Sequence, residues 1–159
     1  MTQTIQLTRE QVTIVDEDDY QELSQFKWLA QVNNRGYYAC RFAGPAGARV
    51  EVYMHRVIMG APDDILVDHI NGNTLDNRKE NLRLCTRSQN GFNRGCNKNG
   101  TSGYKGVTYC KNRVSDNWKA QIKIDYKNHH LGYFHTPKEA YDAYCIAAKQ
   151  LHGKFAKLV

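Results

Sequence analysis

Two short apolar runs, "ILVDHI" at residues 65–70 and "LRLCT" at 82–86, flank an eleven-residue polar loop and lead into "RSQNGFNR". Bounded by turn-forming residues, both runs read as strands. Thr86, with Gln89 three positions later, carries a capping-box signature that starts a short helix near Arg87. The order strand, loop, strand, helix constrains the chain tightly, because a polar loop of that length is floppy unless it bonds to itself. Residues 67–90 hold five asparagines, whose side chains can bond neighbouring backbone groups. Asn81, in "ENLRL", is expected to hold the loop and His69 in position.

The rest of the chain also reads as α+β. Short alternating runs around 5–7 and 12–15 predict strands, residues 16–25 an acidic helix, and "KWLAQV" and "YYACRF" two strands about the turn Asn33-Asn34-Arg35-Gly36. "RVEVYMHRVIMG" starts as a strand and turns helical before Gly60-Ala61-Pro62. "GFNRGCNKNGTSG", rich in Gly and Asn, reads as a linker. Beyond it, "YKGVTYC", "WKAQIKI" and "HHLGYF" predict three strands. "TPKEAYDAYCIAAKQLHG" predicts a helix capped by Thr136, with Pro137 at its first position, Glu139 closing a capping box and Gly153 past its end. Ala140, Tyr144, Ala147, Ala148 and Leu151 form an apolar stripe that should face the sheet. The expected division is 1–92 (core about 54–92), a linker at 93–103, and a C-terminal module at 104–159.

Charge is distributed unevenly. Residues 1–100 carry 12 Lys+Arg against 12 Asp+Glu, whereas residues 101–159 carry 10 against 4, so the net +6 belongs to the C-terminal part. A basic segment on a neutral body predicts a polyanion partner, most often nucleic acid. The five cysteines include no C-x-x-C pair and predict reduced, mostly buried thiols. No apolar run approaches a membrane span, and the N-terminus lacks the order of a secretion signal. A cytoplasmic protein with no membrane partner is expected.

Phosphodiester cleavage needs a base to activate water, a divalent cation to take up charge, and hard oxygen ligands for that cation. Asp68 offers a carboxylate and Asn90 an amide carbonyl, donors suited to Mg²⁺ or Mn²⁺. His69, next to Asp68 on a strand, faces the other side of the backbone unless the strand bulges or ends there. Imidazole can serve as a base near neutral pH. The plain alternative for each residue is a satisfied surface pair and an ordinary polar turn.

Through "MHRVIMG", "DHINGNTLDNRKENLRLCT" and "SQN" the stretch resembles the HNH nuclease family and its ββα-metal unit. The resemblance implies Asp68 and Asn90 as metal ligands, His69 as general base and Asn81 as the loop-fixing residue. The last position is Asn90 where the family name has His, a substitution familiar in phage and intron-encoded members. His55 and Arg56 match a His-Arg pair of the same branch. His55 is expected to stabilise its helix in the small core, and Arg56 to touch a phosphate.

Residues 101–159 resemble the AP2 DNA-binding domain over their whole length, through "YKGV", "WKAQI", "LGYF", "TPKEAYDAY" and "LHGKFAKL". That family lays a three-stranded sheet in the DNA major groove. Independently, "WKAQIKI" alternates so that Trp118, Ala120, Ile122 and Ile124 face one way and Lys119, Gln121 and Lys123 the other. By motif position Lys105, Thr108, Gln121, Lys123 and His130 fall where the family contacts DNA, and Lys111 and Arg113 are expected on phosphates. Several of those places are usually Arg or Trp, so base specificity does not carry over.

These readings predict a metal-dependent, site-recognising DNA endonuclease of homing type, acting on double-stranded DNA as a monomer or homodimer in a bacterial or phage-infected cell. The alternatives are a DNA-binding regulator on a non-catalytic HNH scaffold, and an RNA binder that stacks bases on Tyr109, Tyr126 and Tyr133.

Overall fold

In the computed structural model, which describes residues 1–33, 36–96, 100–111, 115 and 117–158, the chain is α+β and divides into two compact units, Met1–Thr86 and Arg87–Val159. No helix among the described residues is long and apolar enough to cross a membrane. Of the five free thiols only Cys40 and Cys85 are buried, Cys110 and Cys145 are half-buried and Cys96 is exposed, so the expectation of mostly buried cysteines fails.

The first unit opens with an antiparallel hairpin, β1 (Thr2–Gln6) and β2 (Val12–Asp16), in the register Thr2↔Asp16 to Gln6↔Val12. Alternation along β2 turns Thr13 and Val15 inward. Helix α1 (Glu17–Leu23) carries Glu17, Asp18 and Asp19 in its first turn, where the helix dipole favours negative charge. A meander of β3 (Leu29–Asn33), β4 (Gly36–Ala43) and β5 (Val50–Tyr53) follows, with β4 central, and β5 runs directly into α2 (Met54–Ile58). The core gathers Ile5, Leu7, Val15, Leu23, Trp28, Ala30, Ala39 and Met54. Trp28 is buried through its ring while its indole N–H donates to the Leu23 carbonyl at 2.8 Å, so no polar group is stranded. A separate two-stranded ladder, β6 (Leu66–His69) and β7 (Leu82–Cys85), pairs Asp68 with Arg83 and His69 with Leu82.

The second unit begins with the short helix α3 (Arg87–Phe92). Its sheet has the order β10-β9-β8, formed by β8 (Val107–Tyr109), β9 (Trp118–Ile124) and β10 (Lys127–Phe134). Helix α4 (Pro137–Leu151) packs on one face, where Ile122 meets Tyr144, Ala147 and Ala148, and Val107 meets Ala120 and Ala140. The capping box forms as the sequence predicts: Thr136 accepts from the Glu139 N–H and donates its own N–H to the Glu139 carboxylate. Phe92 of α3 stacks on the buried His152 ring at 3.6 Å between centroids, and His152 bonds the Lys123 carbonyl.

One glycine is forced by this packing. Gly106 has φ +74°, and a Cβ there would lie 2.6 Å from the Gln121 carbonyl oxygen and run into the Tyr144 ring. Both neighbours are fixed, since the Gln121 N–H donates to the Gly106 carbonyl at 2.8 Å and Tyr144 is a core residue. Gly106→Ala is therefore expected to destabilise the second unit by about 3 kcal/mol, from overpacking plus left-handed strain. Chemical denaturation of the variant against the wild type measures this.

Candidate functional site

The polar loop between β6 and β7 is built from its own side chains. Asn81 clamps both ends of the turn: its Oδ1 accepts from the Asn71 N–H at 2.9 Å, and its Nδ2 donates to the Asp76 carbonyl at 2.7 Å. Asn71 Oδ1 accepts from the Asn73 N–H, and Asn73 Oδ1 from the Leu75 N–H, two successive Asx turns. The buried Asp76 carboxylate receives Arg78 through two nitrogens at 2.8 Å and the Asn71 amide at 2.9 Å. The Arg78 bonds hold the Asp76 carboxyl below its ordinary range, with burial opposing them.

The knitted loop docks on β2. Ile14 donates to the Leu75 carbonyl at 2.9 Å, the Asn77 N–H donates to the Ile14 carbonyl at 2.8 Å, and the Lys79 N–H donates to Asp16 Oδ2 at 2.7 Å. Leu75 packs against the hydrophobic core as the loop's apolar anchor. Asn77 and Thr13 become fully buried beneath it, 2.8 Å apart from Nδ2 to Oγ1.

His69 sits at the end of β6, 4% exposed, with Nε2 3.1 Å from Asn77 Oδ1. Tyr38 and His55 pack against its ring edge-on, with centroids at 5.9 and 5.2 Å. Burial lowers the His69 pKa, opposed by the Asn77 bond and by Asp68 and Asp76, so the neutral imidazole prevails. His55 packs among Tyr38, Tyr53 and His69, and burial, then His69 and Arg56, push its pKa down to about 3. Its Nδ1 finds no hydrogen-bond partner among the described residues.

Asp68 is buried beside His69, and the cross-strand Arg83 guanidinium grips its Oδ2 through Nε at 2.9 Å and Nη2 at 2.7 Å. Asn90 lies half-buried on α3, in the second unit. Arg56, expected on a phosphate, donates instead to the Ile65, Ala61 and Pro62 carbonyls and so staples the loop after α2. The sequence reading did not single out Asn77, Thr13, Arg83 or Asp76. Asn77 stood in the asparagine-rich loop, but nothing in the sequence distinguished it from its neighbours.

In the second unit the face of the sheet opposite α4 carries three cross-strand rows: Thr108–Lys119–Tyr133, Gln121–His130 and Lys123–Asn128. Thr108, Lys123 and His130 are exposed, and Lys119 and Gln121 are half-buried. Lys111 is exposed in the loop after β8, and Arg113 lies outside the described residues. The Lys105 ammonium turns inward to the Phe92 carbonyl and the Tyr144 ring, 6.0 Å from its centroid, and burial lowers its pKa to about 8.

A family model described as HNH endonuclease matches residues 52–92, the segment from β5 through α3. An uncharacterised HNH endonuclease of Acanthamoeba polyphaga mimivirus is 32% identical over 140 residues, covering 87% of this chain and 70% of that protein. Protein 3.8 of Escherichia phage T7 is 30% identical over 102 residues, covering 60% of this chain and 77% of that protein. No solved structure gives a significant match. The chain belongs to the HNH endonuclease family.

The buried His55 makes the first unit acid-sensitive. Below about pH 6.5 the unfolded chain takes up a proton that the folded state refuses until about pH 3, so stability falls as the pH falls through that window. The groups around it are His69, Arg56, Tyr38 and Tyr53. Urea unfolding at pH 7, 5.5 and 4.5 should show His55→Gln losing about 1.4 kcal/mol less per pH unit than the wild type.

Proposed function

We propose that the protein is a metal-dependent DNA endonuclease in which His69 is the general base, and that the C-terminal sheet is an AP2-like DNA-binding surface. The observation that carries this reading is the buried imidazole of His69, kept neutral within the family-matched segment and held through one nitrogen by Asn77. A neutral imidazole fixed in direction can take a proton from water. Arg78, Asp76, Asn71 and Asn81 stiffen the loop that carries Asn77, which keeps that direction constant.

Asp68 and Asn90 are the proposed metal ligands. A carboxylate and an amide carbonyl are hard oxygen donors that leave most of the coordination shell to water and phosphate, which fits Mg²⁺ or Mn²⁺. When bound, the ion supplies charge stabilisation for the phosphate and the departing 3′ oxygen. Arg83 holds the Asp68 carboxylate in a fixed direction in the buried strand pair.

Thr108, Lys111, Lys119, Gln121, Lys123 and His130 would carry the DNA contacts, with cations on phosphates and the Gln121 amide able to reach a base edge. Arg113 belongs to the same proposal through its place in the sequence. Lys105 acts behind the sheet, on the Phe92 carbonyl. With one nuclease centre a single copy nicks one strand, and a double-strand break needs two copies or a second event. The pairing of the two modules favours the homing-type, site-recognising behaviour of a mobile nuclease.

Supercoiled plasmid carrying a randomised insert library tests the chemistry. Wild type with Mg²⁺ or Mn²⁺ is expected to produce open circles, EDTA to stop it, and His69→Ala to lose at least a hundredfold in rate with DNA affinity unchanged. Retarded DNA with no cutting under either metal would instead support the DNA-binding regulator. The sheet has its own test in salt titration. Replacing both Lys119 and Lys123 by Ala should flatten the slope of log affinity against log salt by about 2, and an unchanged slope moves the grip elsewhere.

A further inference from the structure

Thr13 and Asn77 are fully buried polar residues that meet across 64 positions of sequence, and neither type performs phosphodiester chemistry by itself. Their hydrogen bonds have a single consistent polarity. Thr13 Oγ1 lies 2.8 Å from the Leu75 carbonyl oxygen, which can only accept, so the one hydroxyl hydrogen is used there. Towards Asn77 the hydroxyl is then an acceptor, and Asn77 Nδ2 donates to it at 2.8 Å. The same nitrogen also faces the weak acceptor Met54 Sδ at 3.8 Å. Asn77 Oδ1 is thereby the atom turned to His69 Nε2, at 3.1 Å. A carbonyl oxygen cannot donate, so Nε2 must carry the proton, and a neutral imidazole then holds its lone pair on Nδ1.

The inverted arrangement is poorer at two points. Turning the amide over sets its oxygen against the Met54 sulfur, where no donor is available, and withdraws the Thr13 hydroxyl from the Leu75 carbonyl to donate to that oxygen. Towards His69 the NH₂ would then donate to Nε2, which is the pairing of the opposite, Nδ1–H tautomer.

We propose that Thr13, acting through Asn77, is a positioning residue that sets the tautomer of His69 and so presents Nδ1 as the atom that takes the proton from water. Thr13 touches neither DNA nor the reacting atoms in this scheme. The proposal rests on the reading of His69 as general base, but the tautomer itself is measurable without any cleavage.

The test uses the full-length protein labelled with ¹⁵N-histidine, comparing wild type, Thr13→Ser and Thr13→Val, with the His69 signals assigned from His69→Gln. Two-bond ¹H–¹⁵N correlation at neutral pH is expected to show the Nε2–H form in wild type and in Thr13→Ser, which retains the hydroxyl. Thr13→Val, isosteric but without it, should show the Nδ1–H form or a mixture. Single-turnover nicking of the plasmid library should fall at least tenfold in Thr13→Val, with DNA affinity within twofold, and stay within threefold of wild type in Thr13→Ser. An Nδ1–H wild type overturns the proposal even if Thr13→Val does not fold. So does a Thr13→Val protein with an unchanged tautomer, or one whose tautomer changes while its nicking rate does not. Wild-type cutting by His69→Gln would remove the base reading instead, leaving the tautomer relay as a feature of the fold.

Discussion

The docking of the 70–81 loop onto β2 is the constraint from which the rest of the first unit follows. Backbone bonds at Ile14, Leu75 and Asn77 treat the loop as an extra, parallel partner of β2, through the bridge Ile14↔Asp76. The docking buries Thr13 and Asn77, groups that would each cost on the order of 1–3 kcal/mol if left unsatisfied. Each is satisfied only when the loop is in register, so a displaced loop strands both. That penalty makes an otherwise polar segment a rigid support for the histidine beside it.

Burial and polarity are balanced around that histidine. Tyr38, His55 and the end of β6 bury most of the ring, which favours its neutral form. Asp68 and Asp76 pull the other way, and each is itself compensated by an arginine, Arg83 and Arg78. Breaking either ion pair would leave a buried carboxylate uncompensated, a change that commonly costs about 3–5 kcal/mol. The neighbourhood is therefore sensitive well beyond the residues with proposed chemical roles.

Much of the fold was legible in the sequence. The strand, loop, strand, helix order at 65–92 appears as β6, the loop, β7 and α3, and the capped helix at 137–151 has the punctuation its sequence displays. The edges were less visible where the deciding residues are atypical. Strand β10 begins at Lys127, two residues before the predicted "HHLGYF", because Asp125 and Tyr126 make the tight turn with φ of 45° and 65° and no Gly or Asn marks it. Arg56 and Lys105 read as DNA-contacting cations because a sequence shows the charge but not the carbonyls within reach, and both donate to backbone oxygens.

By itself the sequence determined the periodicities that make the strands and helices, the spacing of Asp68, His69, Asn81 and Asn90 that resembles the HNH pattern, and the concentration of positive charge beyond residue 100. Those are properties of neighbours along the chain, where side-chain alternation and capping act over a few residues. Only the tertiary structure decided which of five asparagines meets His69, that Thr13 meets that asparagine from 64 positions upstream, and that Arg83 clamps Asp68. A hydrogen bond joins atoms about 3 Å apart whatever their separation in sequence, and its direction depends on what the next atom in the network already donates.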